Sequence, residues 1–148
     1  MRLINVDSLK LETLFGGHLP PYAVLSHRWG DDGEEVSFDD MRRGLTEKTG
    51  MQKLIRCCQI AKQEKIQYVW IDTCCINKES MKELDEAIDT MFKWYRNASV
   101  YLTYMGDVPH NDDVWDPASR FFSTAWFRRG WTLQELLTTG KLRFYDQD

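Results

Sequence analysis

Short apolar runs alternate with longer amphipathic stretches along this chain. Four apolar or β-branched runs bounded by turn residues are typical of strands in a buried sheet: Tyr22–His27, Tyr68–Asp72, Ser99–Tyr104 and Lys141–Tyr145. The opening segment Met1–Asp7 predicts one further, short edge strand. Gly-Gly and Pro-Pro pairs break the chain before the first buried run.

Three segments between these runs have helical spacing, and the first two precede the third run. Met51–Lys65 carries its apolar groups mostly on one face, and the polar stretch before it, Glu34–Gly50, predicts a loop with a short helix. A second helix begins at Ser80, where Ser80 and Glu83 form a capping box, and stops near Asn97. Its predicted buried stripe consists of Met81, Leu84, Ile88, Met91, Phe92 and Tyr95.

Alternation of strand and helix predicts an α/β fold with a mostly parallel sheet and helices on both faces. Ligands of such sheets bind outside the carboxyl ends of the strands. Three connecting segments lie at that edge in this prediction, and the last leads into the third helix: His27–Gly33, Thr73–Glu79 and Gly106–Ala125. A binding site is therefore expected at this edge.

The third helix, predicted over Trp126–Thr139, carries the first candidate for chemistry. Glu135 lies four residues after Trp131, so both side chains share one helix face. Arg128 and Arg129 lie in the first turn, where the helix dipole disfavours cations, which indicates another role such as binding an anion. The plainer alternative is an amphipathic helix whose glutamate is solvated.

Composition excludes several classes of function. The 148 residues suit one domain over 1–148, and with a net charge of −4 and no block of Lys or Arg, nucleic acid is not expected as a partner. No apolar run is long enough for a membrane segment, and the polar start Met1–Asp7 is no signal peptide, so a cytoplasmic protein is expected. The four cysteines fit no zinc pattern and are interpreted as reduced, mostly packing thiols, and the three scattered histidines predict no metal site. The abrupt end after the fourth run predicts a fragment of a longer chain.

Three motifs, read together and in order, resemble the fungal heterokaryon-incompatibility (HET) domain: YAVLSHRWG (Tyr22–Gly30), YVWIDTCCINK (Tyr68–Lys78) and WFRRGWTLQELL (Trp126–Leu137). The resemblance covers nearly the whole chain. One departure is Asn77-Lys78, where the family more often has Asp-Gln. Membership would imply a module of proteins that trigger programmed cell death on non-self recognition, with regulatory domains or recognition receptors as partners.

A weaker resemblance links the chain to Toll/interleukin receptor (TIR) domains. LSHRWGDD (Leu25–Asp32) is similar to a plant TIR stretch, and the segment from Trp131 to Leu136 is similar to the TIR helix of Trp-Cys-x-x-Glu-Leu type. This resemblance implies a flavodoxin-like three-layer sandwich. In TIR enzymes the matching glutamate cleaves NAD, so Glu135 would be catalytic, with NAD as substrate and no cofactor required.

The chemistry of that reaction suggests roles for six other residues. Positive charge develops on the ribose as nicotinamide leaves, and a carboxylate nearby would stabilise it. Arg28 is the first candidate for the pyrophosphate and Arg129 the second, because guanidinium groups bind phosphate oxygens in pairs. Trp29 would stack on a ring and Trp131 would wall the pocket. Ser26 and Asp72 would bind the ribose hydroxyls.

Each of these roles has a structural alternative. Trp29 is also compatible with a core position, Asp72 with a cap on the next loop, and Arg28 with an ion pair to Asp31 or Asp32. His27 is an alternative acid or base but is more often structural, and a thiolate at Cys74 or Cys75 has no basic neighbour in the sequence.

Two functions of different class therefore compete. The first is a TIR-like NAD glycohydrolase that self-association switches on. The second is an interaction module that signals cell death by oligomerisation, in which Glu135 is locked in an ion pair with Arg128 or Arg129. A nucleotide-binding domain without turnover is a third option, although no Walker loop or G-x-G-x-x-G supports it.

Overall fold

A computed structural model describes residues 1–31, 33–44, 47–128 and 141–146. The strands in these residues are β1 (Arg2–Asn5), β2 (Leu11–Thr13), β3 (Tyr22–His27), β4 (Tyr68–Trp70), β5 (Val100–Tyr104) and β6 (Lys141–Tyr145). The helices are α1 (Phe38–Arg43), α2 (Gly50–Gln63), α3 (Asp72–Cys75) and α4 (Met81–Arg96), followed by 3₁₀ turns at Arg120–Ser123 and Ala125–Arg128.

The six strands form one sheet in the order β2-β1-β4-β3-β5-β6. β4, β3, β5 and β6 pair in parallel, whereas β1 is antiparallel to both of its neighbours. All six positions of β3, at the centre of the parallel part, are buried. The prediction of an α/β fold with a mostly parallel sheet is confirmed, and the arrangement is compatible with a flavodoxin-like three-layer sandwich.

Side-chain alternation along the strands shows which helix covers which face. Tyr22 of β3 donates a hydrogen bond to the backbone oxygen of Trp94 in α4, and Tyr101 of β5 donates to that of Tyr95. On the opposite face, Tyr104 of β5 lies against α2, where its ring is 5.9 Å from the ammonium of Lys53. The main hydrophobic core lies on both faces of β3, β4 and β5.

The N-terminal hairpin corrects the prediction of a single edge strand. β1 lies inside the sheet, and β2 forms the edge beside it. The turn between them depends on Asn5, whose side-chain oxygen accepts hydrogen bonds from the backbone N–H groups of Asp7 and Ser8, and on Leu9 at a φ of 53°. A strand of three residues is too short for its alternation to be visible in the sequence.

The start of α4 uses half of the predicted capping box. Ser80 Oγ accepts a hydrogen bond from Glu83 N, as expected. The Glu83 carboxylate does not return to Ser80 but accepts from Asn77 N at 2.8 Å and forms an ion pair with Arg2 of β1. Because Arg2 also donates to the Cys75 oxygen, it ties the hairpin to the segment before α4. Asn97 ends the helix as predicted.

The buried stripe predicted for α4 is only partly correct. Tyr95 is buried and Leu84 and Met91 are half-buried, but Met81, Ile88 and Phe92 are 69%, 51% and 50% exposed. The sheet contacts the helix around Ala87 and Tyr95, so the apolar surface extends beyond the width that one sheet can cover. The three exposed side chains share one face, since they are spaced by seven and four residues.

The sequence predicted one of two connecting segments correctly and the other only in part. The short helix expected within Glu34–Gly50 is α1, closed by a reciprocal cap between Ser37 and Asp40. The segment Thr73–Glu79, expected to be a loop, instead begins inside α3. Of the helix expected over Trp126–Thr139, the described part is the 3₁₀ turn that ends at Arg128, and residues 129–140 lie outside the described part. No described helix has the length and apolar character needed to cross a membrane.

Candidate functional site at the carboxyl edge of the sheet

A pocket of about 670 Å³ opens where β3 and β5 end. One wall is the loop that follows β3, at residues 28–31, 34 and 35, and a second is the start of α2, at residues 49, 50, 52, 53 and 56. The end of β5 contributes Tyr104 and the loop after it contributes Asp107. The pocket therefore lies at the sheet edge where the topology predicts a ligand site.

Two of the predicted ligand residues, Arg28 and Trp29, line this pocket. Two others lie directly beside it. Ser26 is buried, and its hydroxyl accepts a 2.7 Å hydrogen bond from the indole nitrogen of Trp126, a further lining residue. Asp72 accepts a 2.8 Å hydrogen bond from the indole nitrogen of Trp29. The roles of these residues in binding a ligand stay predictions.

The remaining three predicted site residues, Arg129, Trp131 and Glu135, lie outside the described residues. The described chain reaches the pocket at Trp126, nine positions before Glu135 in the sequence (135 − 126).

Trp29 stands at the pocket mouth and not in the core, since 48% of its surface is exposed. The hydrogen bond to Asp72 fixes the edge of the indole, and the ammonium of Lys78 lies 3.7 Å from the ring centroid. A cation at this distance is attracted to the electron-rich face of the indole. The ring is therefore held in one orientation at the pocket rim.

A network under the β3 loop centres on Glu35, which the sequence analysis did not single out. Its Oε1 accepts from Gly30 N at 2.7 Å and from Lys53 Nζ at 2.5 Å, which ties the loop to α2. Its Oε2 lies 3.7 Å from Nε2 of the buried His27, and that nitrogen is also 3.9 Å from Asp72. His27 thus lies between the carboxylate that orients Lys53 and the one that orients Trp29.

The pKa of Glu35 is lowered to about 2. Burial of the carboxylate raises its pKa, but the interaction with the nearby His27 ring and the hydrogen bonds from Lys53 and Gly30 N–H outweigh that effect. Glu35 is therefore ionised throughout the neutral range and is committed to contacts within the protein.

The lowered pKa makes Glu35 a source of stability that depends on pH. Because the folded-state pKa lies below the unfolded value, the contribution is complete above about pH 5 and is lost as the pH falls towards 2. We expect Glu35→Gln to lower the free energy of unfolding at pH 7 by on the order of 2–3 kcal/mol. Urea unfolding of both proteins should show the difference shrinking between pH 5 and pH 3. A difference that stays constant over this range would contradict the assignment.

Asp107 fixes the segment that enters the pocket wall at Trp126. Its two carboxylate oxygens accept hydrogen bonds from Thr124 Oγ1 at 2.5 Å and from Ala125 N at 2.7 Å. Partial burial raises the pKa of Asp107, but these bonds and the nearby charge of Arg28 hold it below its usual range.

The loop and α2 approach each other closely at Gly50. Gly50 N donates to Glu34 O at 3.0 Å, and an added Cβ would lie 2.7 Å from that same oxygen. We expect Gly50→Ala to lower the free energy of unfolding by about 1–3 kcal/mol, even though alanine favours a helix over glycine by ~1 kcal/mol. Gly17→Ala is the matched control, because a Cβ there meets nothing within 4 Å. Equal melting temperatures for the two variants would refute the close approach.

Burial disfavours the thiolate form of the cysteines, which is the nucleophile. All four cysteines are free and buried, and burial raises the pKa of Cys58 and of Cys74 to about 12. Cys74 donates to the backbone oxygen of Val36. In the described part of the chain, no group of three or more His, Cys, Asp or Glu side chains is placed to hold a metal ion.

Comparisons with known proteins agree with the motifs. The family model described as heterokaryon incompatibility protein (HET) matches residues 22–113. The vegetative incompatibility protein HET-E-1 of Podospora anserina is 40% identical over 157 aligned residues, which cover 100% of this chain and 12% of that protein. No solved structure matches. The matched range includes the pocket residues from Arg28 to Asp107.

Proposed function

Because the chain belongs to the heterokaryon-incompatibility (HET) family, we propose that it is a cell-death effector domain that acts by hydrolysing NAD. The observation that carries this proposal is the pocket at the carboxyl edge of the sheet, which brings Arg28 and Trp29 together. A dinucleotide needs cations for its diphosphate and flat surfaces for its rings, and this pocket has both.

The reaction breaks the bond between the ribose and nicotinamide. The bonding electron pair leaves with nicotinamide, and the ribose becomes an oxocarbenium ion that water attacks with loss of a proton. Glu135 is the carboxylate proposed to stabilise that cation, a role inferred from the TIR-like motif around it. Trp126 supports this role, because it lines the pocket and precedes Glu135 by nine positions.

Activity is proposed to depend on assembly in the cytoplasm. The chain spans 12% of the length of the relative that it matches, so regulatory regions elsewhere in a full-length protein would control when copies meet. Self-association would then switch the activity on. This arrangement keeps a toxic activity silent until the copies are clustered.

The direct test is incubation of the purified chain with NAD at low and at high protein concentration, with nicotinamide release as the readout. We expect release that rises more steeply than protein concentration. A chain that releases no nicotinamide even when clustered through a fused oligomeric tag would overturn the enzymatic proposal.

A second candidate function is a non-enzymatic module that signals by pairing with another copy of itself. The exposed apolar face of α4, formed by Met81, Ile88 and Phe92, favours it, because contiguous exposed apolar side chains often mark protein contacts. Sedimentation and NAD cleavage, measured together on wild-type and Ile88→Asp chains, distinguish the two functions. Loss of both self-association and killing in the variant, without any NAD cleavage by the wild type, would support the module.

A further inference from the structure

We propose that the α2 wall of the pocket is a phosphate subsite, in which Lys53 and Arg56 act together with Arg28 on the diphosphate of a nucleotide. The identity of the nucleotide in this inference rests on the proposed function. The inference adds the residues that would bind its negatively charged diphosphate. Neither α2 residue belongs to the three motifs that relate the sequence to its family.

The geometry of α2 brings the two side chains to one place. Lys53 and Arg56 are three positions apart, so they project from the same face of the helix, and both line the pocket. Arg28 reaches the same pocket from the end of β3. Three cations from two separate elements therefore converge on one cavity.

Lys53 is positioned in advance for an anion. Its side chain is only 11% exposed, and Glu35 holds its ammonium at 2.5 Å. An ammonium has three N–H donors, so this bond leaves others for a ligand. Partial burial also means that a bound phosphate competes with little water, which strengthens a charge-assisted hydrogen bond.

Four carboxylates also line the pocket, those of Asp31, Glu34, Glu35 and Asp107, but none of them comes from the α2 wall. Both oxygens of Asp107 accept hydrogen bonds from the segment at Thr124 and Ala125, and Glu35 is engaged with Lys53 and Gly30. Arg56 is the guanidinium on the α2 wall and can bind two phosphate oxygens at once. The wall accordingly suits a diphosphate better than an uncharged nucleoside.

The test measures binding and not turnover. Calorimetry on the 148-residue chain would compare ADP-ribose, inorganic pyrophosphate and adenosine for wild type, Arg56→Gln and Lys53→Gln. We expect each substitution to weaken ADP-ribose and pyrophosphate about tenfold or more and to leave adenosine unchanged. Arg28→Gln, at an exposed position, should behave in the same way without a risk to folding.

Lys62→Gln is the matched control. It removes one cation from the same helix, but Lys62 is exposed, pairs with Asp7 and is not part of the pocket lining. Unchanged ADP-ribose affinity in Arg56→Gln and Arg28→Gln, or a wild type that binds neither ADP-ribose nor pyrophosphate, would overturn the subsite. Tight diphosphate binding without any nicotinamide release would refute only the hydrolase proposal, so the two failures are distinguishable.

Discussion

Glu135→Ala is expected to reduce nicotinamide release from NAD by about a hundredfold to a thousandfold. The proposed carboxylate stabilises positive charge that develops on the ribose in the transition state. Groups of this kind lower the activation free energy by about 3–4 kcal/mol. Release should be measured at saturating NAD and at a protein concentration where the wild type is active. Expression of the variant in fungal cells should no longer cause death.

Glu86→Ala is the control for this experiment. Glu86 is an exposed residue of α4, 68% accessible at its side chain, so its removal tests whether losing any glutamate affects the assay. Circular dichroism and thermal melting must show both variants folded. Equal release by Glu135→Ala and wild type, or toxicity that persists in a folded variant, would remove Glu135 from the mechanism.

Trp126→Ala is expected to have the largest effect on stability, a loss of about 3–5 kcal/mol in the free energy of unfolding. The indole is 1% exposed, packs edge-on against Phe127 and Phe144, and donates to Ser26. Its removal leaves a cavity between β3, β6 and the pocket, and one wall of the pocket is lost. Urea unfolding at neutral pH gives the change directly.

Trp115→Ala is the matched substitution. Trp115 is 89% exposed in the loop after β5, so the same change in chemistry should shift the free energy of unfolding by no more than about 0.5 kcal/mol. Similar losses in the two variants would show that Trp126 is not the packed side chain described above.

Elements with a strong local pattern could be predicted from the sequence. β3 and β5 are apolar runs flanked by turn residues, and α4 has both a cap at Ser80 and regular spacing. β2 could not be predicted, because three residues show no alternation. The extent of burial on α4 could not be predicted either, since spacing identifies an apolar face but does not show how much of it another element covers.

Some residues of the candidate site could likewise be predicted from the sequence, and others could not. Arg28 and Trp29 were predicted because they directly follow a strand, and parallel strands gather their carboxyl ends at one edge. Lys53 and Glu35 were not, because a charged residue that faces a cavity has the same local pattern as one that faces solvent. The contact between the β3 loop and the start of α2 separates the two cases, and it is a tertiary contact.

The hydrogen bond between Trp126 and Ser26 joins residues 100 positions apart. A chain that emerges from the ribosome therefore carries β3 and α2 long before the last pocket wall exists. Contacts between residues so far apart in the sequence form late, because bringing them together costs conformational entropy of the chain between them. Nascent chains that have not yet reached Trp126 thus have an incomplete binding cavity.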